Sequence, residues 1–429
     1  MGNAQFIHDI LSKRNYDFGR TDVTLKNFHP QIYMTLATEG VFFVKRDSYL
    51  RFCIPFYNIA MTIIGVTFEG LNVYMGMNTG DYSVVWESVC YVSIISSTIT
   101  VYAGLLLNRE KIWSQIEEME RDFEEICNLG PRYRDPFMEG QLLVWKLFCG
   151  WSIFVITICS SFFIYPCILL VYQSLKPSEE YKNRPLVFPL WLPNDDPYRT
   201  PNYEIFFVVE VFFVIAFTLC FGGYVYTLFH FLLHYYTKMD MIILDFQVIF
   251  DGLDESVVKL PKTDPRRISV QMTLNKRLKR IVTWHLSIFR AIHTAASVFR
   301  PTLIYQVMCS AVILCLIFNQ IVMKLDRGEF DVVFTLLGAG AVLQLWIPCY
   351  LGTILRNKGF AVGDACWNCG WHETSLGLLI RIDILVVLMR AQMPIFIKYT
   401  GQPVVQLETF SAIMSTSYSY FNMLRQSQK

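Results

Sequence analysis

The chain has 429 residues, 53% of them hydrophobic and only 17% charged, with a formal charge of +1 and a mean hydropathy of +0.36. A soluble protein of this length carries more charge and shorter apolar runs, so the composition indicates an integral membrane protein. The near-neutral balance also argues against a nucleic-acid partner.

Residues 1–49 form a polar leader of mixed charge with scattered apolar residues (Phe28, Ile32, Leu36, Phe42, Phe43). It does not read as a removable signal peptide, so the first apolar span is expected to direct membrane insertion. The leader is expected to lie along the membrane surface or to pack on other cytoplasmic parts. Residues 50–236 hold four spans, near Phe52–Tyr74, Val84–Leu107, Leu142–Tyr172 and Tyr203–Tyr236, each long enough to cross. Between the second and third, Ile112, Ile116, Met119, Phe123 and Ile126 repeat at helical spacing, which predicts a helix with one buried face, ended by Gly130-Pro131. Between the third and fourth, residues 174–201 are too Pro-rich for a helix and too apolar for a free linker, and read as an ordered lid over the outer mouth.

Residues 237–300 make a basic connection in which Leu274, Leu278, Ile281, His285, Ile288 and Ile292 predict a second cytoplasmic helix. Lys276, Arg277, Lys279 and Arg280 read as its solvated face near anionic lipid. Pro301 is expected to start the fifth span, and the sixth, near Val332–Leu355, to kink at Pro348. Residues 356–402 form a cytoplasmic loop with an amphipathic run at Leu378–Met389, and residues 403–429 hold the last span.

With the N-terminus inside, 27 of the 37 Lys and Arg fall in segments placed inside and 8 in those outside. The fold class expected is therefore an all-α membrane protein with seven transmembrane helices, N-terminus cytoplasmic and C-terminus extracellular. That orientation is opposite to the G-protein-coupled receptors. The lid carries no cysteine, and no Asp-Arg-Tyr follows the third span. The twelve cysteines fall in apolar spans or segments placed inside, so no extracellular disulfide framework is expected. Cys366-Trp-Asn-Cys369 beside His372 is half a zinc site without a second ligand pair, and reads as two reduced thiols. No phosphate loop, nucleophile elbow or His-Glu-x-x-His is present, so neither an enzyme nor a cofactor is expected.

On the last span, Glu408, Ser411, Ser415, Ser419, Asn422 and Gln426 form one narrow polar stripe, while Phe410, Ile413, Met414, Phe421 and Leu424 face away. Spacing alone leaves two readings, a close-packed helix seam or the lining of a pore.

At Ser417-Tyr-Ser-Tyr-Phe421, just before the chain end, the sequence resembles the insect odorant receptor family, whose last helix carries a similar signature. Length, topology and the long fourth-to-fifth connection agree with that resemblance. The lid ending PNYEIFF is most similar to tuning receptors of moths and butterflies, in the pheromone-receptor branch. The resemblance implies a tetrameric ligand-gated cation channel shared with the insect olfactory co-receptor, its pore lined by the last helix. It places Met423 at the gate, with Gln426, Asn422, Ser419 and Ser415 along the pore. It places the odorant pocket in the outer halves of spans two, three, four and six. The residues there are Trp86 and Tyr91, then Cys159, Phe162 and Phe163, then Val209, Phe212 and Phe213, and last Phe334 and Leu337. Ser160, Ser161 or Thr218 is expected to hydrogen-bond a ligand head group. The related gustatory family shares the fold, but a pocket this apolar speaks against sugars.

Overall fold

Backbone amides and carbonyls in apolar surroundings must bond within their own segment, so long apolar runs become helices. The computed structural model describes residues 13, 23–41, 52–175, 184–188, 190–193, 195–328, 330–393, 395–397 and 404–427, and among these there is no strand. Two short helices, α1 (Leu25–Phe28) and α2 (Pro30–Thr38), precede α3 (Cys53–Thr79), α4 (Tyr82–Leu107) and α5 (Arg109–Asn128). Then come α6 (Pro131–Leu175), α7 (Asn202–Gln247), α8 (Pro265–Asp326) and α9 (Val332–Trp367), followed by α10 (Arg381–Ala391) and α11 (Leu407–Ser427). Six of them, α3, α4 and α6 to α9, are long and apolar enough to cross a membrane. The remaining expected span is the helix α11, whose apolar character its serines interrupt.

Several boundaries follow local chemistry. Gly130, at φ +99°, takes the left-handed turn that ends α5, and Pro131 opens α6 with the ring geometry of a first helical residue. Asp264 caps α8 by accepting from the Arg266 amide at 2.8 Å.

Pro301 corrects one expectation. It does not start a helix: α8 runs unbroken for 62 residues with Pro301 inside it. An internal proline removes one helix hydrogen bond, but α4 packs on this turn through Gly104, where a Cβ would come within 2.6 Å of the Val298 carbonyl oxygen and 3.6 Å of Pro301 Cδ. Likewise α9 stays helical through Pro348.

The helices divide the bundle into two ends. At its base, the apolar faces of α5 and α8 meet α7. Ile112, Ile116, Met119, Phe123 and Ile126 of α5 are buried, as are Leu274, Leu278, Ile281, Ile288 and Ile292 of α8. Each such side chain stabilises by about 1.5–3 kcal/mol over exposure. Phe28, Ile32 and Leu36 join the same core, so residues 23–41 pack on the bundle; Phe42 and Phe43 lie outside the described residues. Every residue of α7 from Gly223 to Tyr235 is buried, as expected of a helix apolar all round.

A relay of buried polar side chains crosses this base. Lys238 Nζ donates to Asp122 Oδ1 at 2.6 Å and to Ser287 Oγ at 2.7 Å, and His234 Nε2 bonds Asp122 Oδ2 at 3.1 Å. A carboxylate only accepts, so His234 carries its proton on Nε2 and its Nδ1 accepts from Gln141 Nε2 at 3.3 Å. Gln141 Oε1 then accepts from His29 Nε2 at 3.1 Å, and His29 Nδ1 from Gln31 Nε2 at 2.8 Å. Burial alone would raise the Asp122 carboxyl, but the His234 bond and the Lys238 charge outweigh it and hold it below the ordinary value. The relay ties the segment before α2 to α5, α6, α7 and α8.

Candidate functional site

In the other half of the bundle the helices part and enclose a cavity of about 150 Å³. Walls come from α4 (Tyr91, Ile95), α6 (Ile158, Phe162), α7 (Phe213, Phe217, Phe221), α8 (Ile313, Leu314) and α9 (Leu337, Leu345). The helices stay apart because aromatic rings at these positions are too large to interdigitate fully. Trp151 Nε1 donates to the Gly222 carbonyl at 2.9 Å and fixes one corner. The lid supplies the cap: Phe188 lines the cavity, with ring centroids 5.0 Å from Tyr91, 5.9 Å from Phe162 and 5.7 Å from Phe213. It is held there by Glu210 of α7, whose Oε2 accepts from the Val187 amide at 2.8 Å.

The residues expected at a ligand pocket separate into groups. Tyr91, Phe162, Phe213 and Leu337 line this cavity, and so does Thr218. Phe334 is buried behind Tyr91, 5.3 Å from it between ring centroids. Trp86, Cys159 and Phe163 pack partly buried around the same core without lining the cavity. Val209 lines a smaller neighbouring chamber of about 30 Å³ beside Glu69 and Glu210. Phe212 is turned outward and 53% exposed, about 100° round the helix from the inward Phe213. Ser160 lies off the cavity, and Ser161 Oγ is committed to the Ile158 carbonyl at 2.7 Å.

Much of the lining escaped the sequence reading, the whole α8 wall included, and two of its members are telling. Phe188 belongs to a segment without periodicity, so nothing in its neighbours betrays that it turns inward. Gln306, in the apolar run of α8, is 6% exposed and lines the cavity. An amide within a membrane-length apolar run is the signal that marks it.

Leu314 and Leu345 line the cavity and also form a buried cluster with Ile413 of α11. On the opposite face of α11, Ser415, Ser419 and Gln426 are exposed, Asn422 is half-buried and Met423 is 72% exposed. Arg356 of α9 bonds Glu408, in the first turn of α11, at 3.3 Å, and Arg425 in its last turn pairs with Asp326 at 3.2 Å.

Elsewhere, burial pushes the Cys366 thiol up to about 12, and Cys369 Sγ donates to the Cys366 carbonyl at 3.2 Å. Among the described residues no group of three His, Cys, Asp or Glu is placed to hold a metal.

Membrane-length helices around an apolar cavity define a multi-pass membrane protein. A sequence profile described as the 7tm odorant receptor family matches residues 83–418, and the chain belongs to that family, one of receptors rather than enzymes. Odorant receptor 82a of Drosophila melanogaster is 21% identical over 361 residues, 82% of this chain and 86% of that one. Odorant receptor 13a of the same fly is 30% identical over 160 residues, 35% of this chain and 38% of the receptor. The match to odorant receptor Or2 of Anopheles gambiae, 24% over 251 residues, spans 56% of this chain and 61% of that receptor. The insect olfactory receptor OR5 from Machilis hrabei, solved in complex with eugenol, has the same fold. It superposes with a TM-score of 0.67 at 15% identity, covering 94% of this chain and 98% of OR5.

Proposed function

We propose that this chain is the odorant-binding subunit of a ligand-gated, non-selective cation channel. The observation that carries the reading is the wall shared by the cavity and α11, made of Leu314 and Leu345 on one side and Ile413 on the other. A ligand that fills the cavity presses on that wall. If it binds better to the arrangement in which the wall has moved, α11 shifts with it and the open population grows. The exposed stripe of α11 (Ser415, Ser419, Asn422, Gln426) with Met423 at its edge is the surface offered to the pore, and Met423 is the gate.

The partner is the insect olfactory co-receptor, in a heterotetramer at the plasma membrane of olfactory sensory neurons. The excess of Lys and Arg near the base supports a cytoplasmic N-terminus and base. A cavity of about 150 Å³ is the size that takes a single aromatic ring. A compact volatile therefore suits it better than the long chain of a moth pheromone, and the eugenol complex of OR5 points the same way.

The test is current from cells expressing this chain with and without the co-receptor, over a panel of compact volatiles. The expected result is a rapid ligand-evoked cation current with both chains present, altered in size or leak by Met423→Ala and Met423→Trp. Ligand-evoked current indifferent to both substitutions would remove Met423 from the gate; silence towards every volatile would defeat the channel reading.

A further inference from the structure

Gln306 is a buried polar group of the cavity that the fold leaves unused among the described residues. Its side chain is 6% exposed and lines the cavity, and neither Oε1 nor Nε2 has a hydrogen-bond partner among the described residues. Its neighbours are differently occupied. Tyr305 donates its hydroxyl to the Ser93 carbonyl at 2.5 Å, and Ser97 donates to the Ile94 carbonyl. A buried amide with both ends unpaired is costly, and in a membrane-length helix such a group marks a functional position.

The same face of α8 carries Ser310 one turn on, and then Ile313 and Leu314, the latter in the wall shared with α11. Gln306 thus sits where a ligand head group would be fixed beside that wall.

A primary amide presents one acceptor and one donor group. A hydroxyl is its complement, because it accepts from Nε2 and donates to Oε1. An aldehyde or ester can only accept, which leaves Oε1 unpaired, and a hydrocarbon satisfies neither. We propose that Gln306 reads the head group of the ligand and selects a hydroxyl, so that the receptor is tuned to compact alcohols or phenols. This inference rests on the odorant-binding reading and names the ligand class for that cavity. Rejection of analogues that leave a buried polar group unpaired is the strongest form of selectivity open to such a site.

The test is a concentration series of benzyl alcohol, benzaldehyde and toluene on the chain co-expressed with the co-receptor, as wild type and as Gln306→Met and Gln306→Leu. Wild type is expected to prefer benzyl alcohol over toluene by about 10- to 100-fold in half-maximal concentration, with benzaldehyde between them. In both variants that preference should fall to about threefold or less, because toluene gains while the alcohol loses. A wild type indifferent to the head group overturns the inference without any variant. A preference unchanged in the variants overturns it too, as does loss of every response in both while they still reach the cell surface. Silence of the wild type towards every volatile defeats the odorant reading itself, and this inference with it.

Discussion

Gly352 of α9 packs directly on the Val405 carbonyl, so closely that a methyl on its Cα would overlap that oxygen. The contact seats the segment that leads into α11, together with the Leu407 amide donating to Thr353 Oγ1 at 3.0 Å and Arg356 bonding Gln406 at 2.5 Å. Gly352→Ala forces backbone apart from backbone, which no side-chain rotation relieves, at about 1–3 kcal/mol. Ligand-evoked current is expected to fall at least several-fold while surface biotinylation stays near wild type. Unchanged current would mean that this seat does not position α11.

The buried Asp122–Lys238 pair gives a stability prediction. Asp122→Ala leaves an ammonium in the base core, with the Glu118 carboxylate at 3.8 Å as its remaining counter-charge among the described residues. Breaking such a pair from one side costs about 3–5 kcal/mol, and Glu118 puts the expected loss at the lower end. Thermal unfolding of the purified receptor should show it, and the double replacement Asp122→Leu with Lys238→Met should recover only part of the loss, because the His234 Nε2–H that bonds Asp122 at 3.1 Å stays without its acceptor.

His285 makes the base sensitive to acid. Burial first, and then the Arg390 charge, lower its pKa from 6.5 to about 4. Its ring lies 4.9 Å from Phe289, over which the Arg390 guanidinium sits at 4.0 Å. With the folded value below the unfolded one, the unfolded chain binds the proton first. Its contribution is full above about pH 6.5 and is lost as pH falls towards 4. Between pH 7.5 and 5 this amounts to about 2 kcal/mol. His285→Gln should reduce the fall in unfolding free energy over that interval by about 2 kcal/mol; an unchanged slope would assign the sensitivity to other groups.

Much of the base was legible before any coordinates, because Ile112 to Ile126 and Leu274 to Ile292 repeat at the helical period and the period alone tells which face is buried. The cavity was half legible. Tyr91, Phe162, Phe213 and Leu337 sit on apolar helices at a depth that a family resemblance could indicate, but the rotation of each helix was not in the pattern. The outward turn of Phe212 shows this, since a span apolar on every side gives no sign of which aromatic faces in. Pro301 misled for a related reason: a local rule ends the helix, and the approach of Gly104 from another helix keeps it going. The relay from His29 to Lys238 joins five segments far apart in sequence, and no local signal encodes such a meeting.

The lid offers a kinetic prediction. The Glu210 carboxylate holds the Val187 amide at 2.8 Å and so keeps Phe188 over the cavity. Glu210→Leu removes the acceptor, and current after ligand washout should decay faster. Glu210→Gln still offers an oxygen to the amide and should decay nearly as wild type does. Equal decay in all three proteins would mean that Phe188 is held by its ring contacts alone.

In α7, every residue from Gly223 to Tyr235 is enclosed, whereas the turns before it alternate between the cavity and the surroundings. Mutations therefore meet two regimes along one helix. Near the cavity, a changed side chain alters which molecules fit and leaves the base packing alone. Near the base, almost any change disturbs several partners at once. What the cavity admits and what keeps the base folded are thereby separable along a single helix.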